Sequence, residues 1–202
     1  MTMNTKVSEN ESERLFLAVK LPSELQEIVA QACSKLAGNF EFAKWTNPQD
    51  YHITLQFLGD TPKTVIPDLV KSLRQIAGQG SPFNLSLDKW DTFGLPASPR
   101  VLWIGVSGEI EALNQLAARV HSATFPLGFS GESRAYKPHL TVARKYRGKN
   151  SYDDKLLENL LKLDGDWNLK NYQRDWTIDS FVLYATRMYA IPMYEIIEKF
   201  TV

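Results

Sequence analysis

The sequence has a single cysteine, only three histidines and no excess of either charge. With Cys33 alone no internal disulfide is available, and no Cys or Cys/His cluster has the spacing of a structural zinc site. This cysteine usage fits a reducing, cytoplasmic location. Lys plus Arg and Asp plus Glu each total 23, a formal net charge of zero. No global field therefore marks the chain as a binder of nucleic acid or membrane, and any charge argument has to be local. No apolar run approaches the roughly 20 residues required to cross a bilayer, so no membrane partner is expected. The start is polar and acidic where a signal peptide would be basic and then apolar. Residues 1–13 read as a disordered leader and residues 14–202 as one domain.

What is present is a hydrophobic content of 44%, enough in 202 residues for a core of its own. Apolar runs predict strands at 15–19, 51–58, 83–90, 101–106, 138–143, 176–184 and 193–200. Stripes at helical spacing predict helices at 23–37 and 66–77, from Ile110 to a stop before Gly128, and around 153–163. Cys33 falls beside the first stripe and reads as a buried, inert thiol.

The order of these elements recurs. Arg14 and Arg100 open corresponding strands 86 residues apart, and His52 and His139 are 87 apart. A repeat this long is no solenoid. The expected class is α+β: two pseudo-symmetric lobes, each an antiparallel sheet with helices packed outside, facing across a central cleft.

Each lobe supplies one His-x-Thr. In 51–58 strand alternation sets His52, Thr54 and Gln56 on one face and Ile53, Leu55 and Phe57 on the other. In 138–143 it sets His139 with Thr141, and Leu140 and Val142 towards the core. One histidine on a strand is ordinarily structural, satisfied by a neighbouring carbonyl. Two copies at equivalent points of a repeat are poorly explained by coincidence. His121, at the end of a helix, is assigned to structure, since an imidazolium there complements the helix dipole.

Two imidazoles across a cleft suit phosphoryl chemistry. Histidine titrates near pH 6.5, so a neutral and a protonated copy can act together as base and acid. The threonine hydroxyls can donate to non-bridging phosphate oxygens. The second motif also sits in a stretch with Arg134, Lys137, Arg144, Lys145, Arg147 and Lys149 and no acidic residue, either a local anion attractor or a solvated basic loop. Tyr136 and Trp45 are candidate stacking surfaces for a base, and Phe57 is expected in the core. A metal site at the two histidines with Asp50 or Asp60 lacks the usual i, i+4 helical spacing, so neither metal nor cofactor is expected.

These motifs and their flanks, Arg14-Leu15-Phe16-Leu17-Ala18, Phe57-Leu58-Gly59-Asp60, Arg100-Val101-Leu102-Trp103, Pro138-His139 and Ala143-Arg144, resemble the 2H phosphoesterase superfamily. The resemblance is to its RNA 2′,3′-cyclic phosphodiesterases, historically called 2′-5′ RNA ligases, and runs from Arg14 to the end. It implies a metal-independent enzyme that opens RNA or nucleoside 2′,3′-cyclic phosphates to 2′-phosphomonoesters. It also implies His52 as proton donor to the leaving oxygen, His139 as the acceptor that activates water, and Thr54 and Thr141 as phosphate-holding hydroxyls. Arg134 and Arg144 lie where such proteins often carry basic residues. Two alternatives stand beside this reading: the same site acting on another small cyclic nucleotide or a 2′-5′ oligonucleotide, and a non-catalytic module that binds RNA ends. Nothing suggests an obligate interface, and a monomer is expected.

Overall fold

Leu15 to Val19 shows no alternation because the strand they form is covered on both faces, with all five residues buried. It is the first element of a computed structural model that describes residues 12–131, 135–163 and 174–202. In chain order the elements are β1 (Ser12–Lys20), α1 (Ser23–Ala37), β2 (Phe42–Trp45), β3 (His52–Pro62), α2 (Ile66–Ile76), β4 (Phe83–Leu95) and β5 (Ser98–Gly108). Then follow α3 (Ile110–Thr124), β6 (His139–Tyr146), α4 (Asp154–Leu163), β7 (Asp175–Ile178), β8 (Ser180–Thr186) and β9 (Tyr194–Thr201). Among these residues no helix is long and apolar enough to cross a membrane.

The strands form one antiparallel sheet in the order β7-β4-β5-β6-β3-β1-β8-β9, with β2 added on β6. Outward from its middle the two halves correspond: β3, β1, β8 and β9 on one side, β6, β5, β4 and β7 on the other. The halves meet where Ile53 of β3 stands opposite Leu140 of β6, the one register position the two strands share. The expected α+β, two-lobed architecture is thus present, with the lobes joined edge to edge and the two motif-bearing strands at the junction.

One face of this sheet is apolar across both halves. Leu17, Val19, Ile53 and Leu55 join Leu102, Ile104, Leu140 and Val142 in a single core with Leu25 and Val29 of α1 and Leu113 and Leu116 of α3. The opposite face of the first half carries a smaller cluster, Phe16, Ala18, Val182 and Tyr184, with Tyr194 against it. Cys33 is buried and its thiol is pushed up to about 12 by that burial, which makes it inert as a nucleophile.

Three expectations about elements are corrected. The apolar stretch 176–184 is not one strand: it breaks at Asp179, with β7 pairing β4 and β8 pairing β1 in the other half. The sheet curls enough for one residue to span the two, and Val202 N–H donates to the Asp179 carbonyl at that crossing. Ser12 and Glu13, read as leader, belong to β1 opposite Pro62 and Thr61; residues 1–11 lie outside the described residues. β2, four residues long and without alternation, had no signal in the sequence; it forms by pairing with β6.

Candidate active site

The site lies on the open face at the β3–β6 junction. In an antiparallel ladder, Ile53 opposite Leu140 sets His52 towards Thr141 and Thr54 towards His139. All four side chains are half-buried, while Ile53 and Leu140 between them are buried on the core face. The junction therefore brings His52, Thr54, His139 and Thr141 together, each histidine facing the threonine of the other motif.

Both imidazoles are held alike. His52 Nδ1 lies 2.7 Å from the Asp50 carbonyl and His139 Nδ1 lies 2.7 Å from the Lys137 carbonyl, two residues upstream in each case. A carbonyl only accepts, so each Nδ1 donates, and the neutral ring carries its lone pair on Nε2. The neighbouring carbonyl that would make such a histidine merely structural here selects its tautomer. Neither threonine hydroxyl is taken up by a hydrogen bond within the described residues.

A bulge follows each threonine. Ala18 pairs with Thr54 and Leu17 with Gln56, so Leu55 is the extra residue of β3. Trp103 pairs with Thr141 and Leu102 with Ala143, so Val142 is the extra residue of β6. Each extra residue reverses the alternation beyond it. Gln56, expected beside His52 on the polar face, is instead buried and accepts from Thr124 Oγ1 at 2.8 Å. Phe57, expected in the core, is 54% exposed, its ring centroid 6.0 Å from that of Phe16. Arg144, five residues after His139 as Phe57 is five after His52, reaches the open face by the same reversal.

The two imidazoles differ in their surroundings. His52 is packed among Phe16, Tyr194 and Tyr184, with ring centroids at 4.9, 5.2 and 6.0 Å. His139 meets Phe93 and Trp103 edge-on at 5.0 and 5.7 Å. Burial drives the His52 pKa down to about 4; the positive charges of Arg144 and His139 add to that, and the Asp50 carbonyl and carboxylate oppose it. His52 is therefore neutral near pH 7 when no anion is bound.

Other residues singled out from the sequence are distributed differently. Tyr136 donates through its hydroxyl to the Thr54 carbonyl at 3.0 Å. It helps to line a cavity of about 120 Å³ with Thr54, Phe57, His121 and His139. His121, assigned to structure from its place at a helix end, thus borders the same cavity. Trp45 pairs with the buried Ala143 and packs edge-on to Phe42 at 5.5 Å, which commits its ring to the core. Lys137 pairs with Asp91 at 3.8 Å and lies 4.4 Å from the centroid of the Trp103 ring. Arg134 lies outside the described residues. Among those residues no group of three or more His, Cys, Asp or Glu side chains is placed to share a metal.

Sequence reasoning weighed Asp50 only as a metal ligand and missed its positioning role: its buried carboxylate accepts from Met193 N–H and Tyr194 N–H, both at 3.0 Å. One residue thus orients His52 through its carbonyl and fixes, through its carboxylate, the backbone that carries the Tyr194 ring. Its offset two residues before the motif histidine, shared with Lys137, is the only local signal it left.

Residues 21–188 match the family model of the 2′-5′ RNA ligase superfamily. A Geobacillus stearothermophilus protein named RNA 2′,3′-cyclic phosphodiesterase is 35% identical over 185 residues, 92% of this chain and 56% of that protein. The chain thus spans little more than half of that relative's length. A Bacillus subtilis protein of the same name is 37% identical over 137 residues, 68% of this chain and 74% of its own. Among solved structures, a Thermus thermophilus protein superposes with a TM-score of 0.72 at 25% identity, covering 93% of this chain and 97% of its own. Escherichia coli LigT complexed with 3′-AMP gives 0.71 at 23% identity, covering 95% and 99%, and so shares the fold.

Proposed function

Since the chain belongs to the 2′-5′ RNA ligase superfamily, we propose that it hydrolyses RNA or nucleoside 2′,3′-cyclic phosphates to 2′-phosphomonoesters by metal-independent His/His acid–base catalysis. The observation that carries this reading is the β3–β6 register, which sets each motif histidine towards the other motif's threonine while a backbone carbonyl holds each Nδ1. The names of the relatives at 35% and 37% identity support the reaction. The lone buried cysteine suits a cytoplasmic enzyme.

In this mechanism the cyclic phosphate sits between the two histidines, its non-bridging oxygens accepting from the Thr54 and Thr141 hydroxyls. A water attacks phosphorus, His139 Nε2 takes its proton, and the bond from phosphorus to O3′ breaks. His52 Nε2–H gives its proton to O3′, leaving a 2′-phosphate and a 3′-hydroxyl. His52 must then enter the step protonated, although burial lowers its pKa to about 4. The phosphate anion supplies the missing charge: placed beside the imidazole, it raises the pKa and lets the substrate recruit its own acid. The resemblance to 2H phosphoesterases assigns donor and acceptor in this order.

The test is hydrolysis of a nucleoside 2′,3′-cyclic phosphate by purified protein in the presence of a chelator, with the product identified as the 2′-monophosphate. No turnover, or turnover only on adding metal, defeats the proposal.

A further inference from the structure

β7 and β8 part at Asp179, and the break leaves a groove of about 540 Å³. Its walls are 177–180, Lys20 with the start of α1, and Val182, Ile196 and Lys199. A volume of this size admits a small ligand or a short piece of chain. Strand pairing fixes where the groove lies. Lys20 of β1 stands opposite His52 of β3, and directly opposed residues of antiparallel strands project to the same side of the sheet. The next row runs from Thr54 through Ala18 and Val182 to Lys199, each opposite the one before. Both lysines therefore rise from the open face that carries the site. Lys20 is beside His52, and Lys199 is three strands from β3, roughly 14 Å away at about 4.8 Å per strand.

Both lysines are exposed, and neither has an ion-pair partner among the described residues. Among the residues that line the groove Asp179 is the one acid, and its carboxylate accepts from Ser180 Oγ at 2.6 Å. Two free cations against one carboxylate make the groove locally basic in a chain without net charge. Val182 and the exposed Ile196 add apolar surface between them. A basic groove that tracks the backbone is the means by which proteins hold single strands of nucleic acid.

In an in-line displacement the attacking water and the leaving O3′ lie on opposite sides of phosphorus. With His139 at the water and His52 at O3′, the ribose and the strand behind it leave the site past His52, the side on which Lys20 stands. Resting on the reading of the site as a cyclic phosphodiesterase, we propose that the groove is a second binding site, which takes the phosphodiester backbone of the RNA upstream of the cyclic end. Lys20 holds the diester nearest the terminal nucleotide and Lys199 holds one further along. The groove makes this chain favour an oligonucleotide end over a bare nucleoside cyclic phosphate.

Two substrates test this: a nucleoside 2′,3′-cyclic phosphate, and a tetranucleotide ending in the same cyclic nucleotide. Wild-type kcat/KM is about tenfold higher on the tetranucleotide, roughly threefold from each exposed lysine. The logarithm of this preference falls against the logarithm of salt concentration with a slope of about −1.4, two contacts at about 0.7 each. In Lys20→Gln and in Lys199→Gln the preference drops to about threefold and the slope halves, and in the double variant the preference is lost. Lys20→Arg and Lys199→Arg retain it, and thermal unfolding shows that each variant is folded. Equal kcat/KM of the wild-type protein on the two substrates overturns the proposal. So do Gln variants that keep the full preference, as do variants that slow both substrates equally, since the lysines would then act on the reacting phosphate or the fold. Wild-type protein inactive on both substrates instead removes the phosphodiesterase reading, and the role of the groove with it.

Discussion

Ile53 and Leu140 stand opposite each other at the only register position shared by β3 and β6, and that pair decides how the two motifs meet. Both side chains are buried on the core face, so the pair belongs to the hydrophobic core and sets the site at once. The residues on either side of it, His52 and Thr54, His139 and Thr141, have no freedom to meet in another combination.

Either histidine is therefore expected to be indispensable. His52→Ala and His139→Ala should each lower kcat on a nucleoside 2′,3′-cyclic phosphate by roughly 10²- to 10⁴-fold. The double variant should be little worse than the more severe single one, because the two act in one step. Steady-state kinetics decide it; a single variant within a few-fold of wild type would show that its imidazole takes no part.

His52 should titrate abnormally in the unliganded protein. Burial pushes its pKa down to about 4, from about 6.5 for an ordinary histidine. A ring-proton or ¹⁵N titration by NMR is expected to find it there, and to find it raised when inorganic phosphate or a nucleoside 2′-monophosphate is added. No upward movement with ligand would leave the donor role without a proton at neutral pH.

The same shift has a stability consequence. In the unfolded chain His52 binds a proton near pH 6.5, whereas in the folded chain it resists doing so until about pH 4. The unfolded state thus binds more protons across that window, and stability falls as the pH is lowered from 6.5 towards 4. The loss from this group is at most about 3.5 kcal/mol, since each pKa unit corresponds to about 1.4 kcal/mol. Urea unfolding at a series of pH values should show the decline, and His52→Gln should flatten it.

Asp50→Ala should cost more than a surface change. Its buried carboxylate accepts from two backbone N–H groups, and hydrogen bonds to a charged group contribute about 1.5 to 3 kcal/mol each. A destabilisation of roughly 3 to 6 kcal/mol is expected from urea unfolding. Because the lost carboxylate fixes the backbone that carries the Tyr194 ring against His52, kcat should fall while KM changes little. A variant as stable and as active as wild type would remove Asp50 from the support of the site.

Much of this was legible in the sequence because it is local. The α1 stripe and Gly38 marked Ser23–Ala37 to the residue, and the duplicated His-x-Thr located the two central strands. What stayed hidden depends on pairing between distant segments. Strand alternation ran correctly through Leu55 and Val142 and failed at the next residue, since a bulge is defined against the neighbouring strand. That is why Gln56 and Phe57 were expected on each other's faces; Trp45 looked available for stacking because the β2–β6 pairing that places it left no local signal. The break at Asp179 left only the polar pair Asp179-Ser180, with no Gly or Pro beside it to mark a strand end, while β7 and β8 pair in different halves of the curled sheet.

The paired bulges at Leu55 and Val142 also act as phase breaks. Deleting Leu55 would restore regular alternation, turning Gln56 out and Phe57 in, yet leave His52 and Thr54 where they stand. Deleting Val142 would do the same to Ala143 and Arg144 while sparing His139 and Thr141. In each half the motif's histidine and threonine and the side chain that borders them are thus set in separate frames. The rim of this site can be exchanged by a single-codon insertion or deletion without disturbing the two motif histidines and threonines.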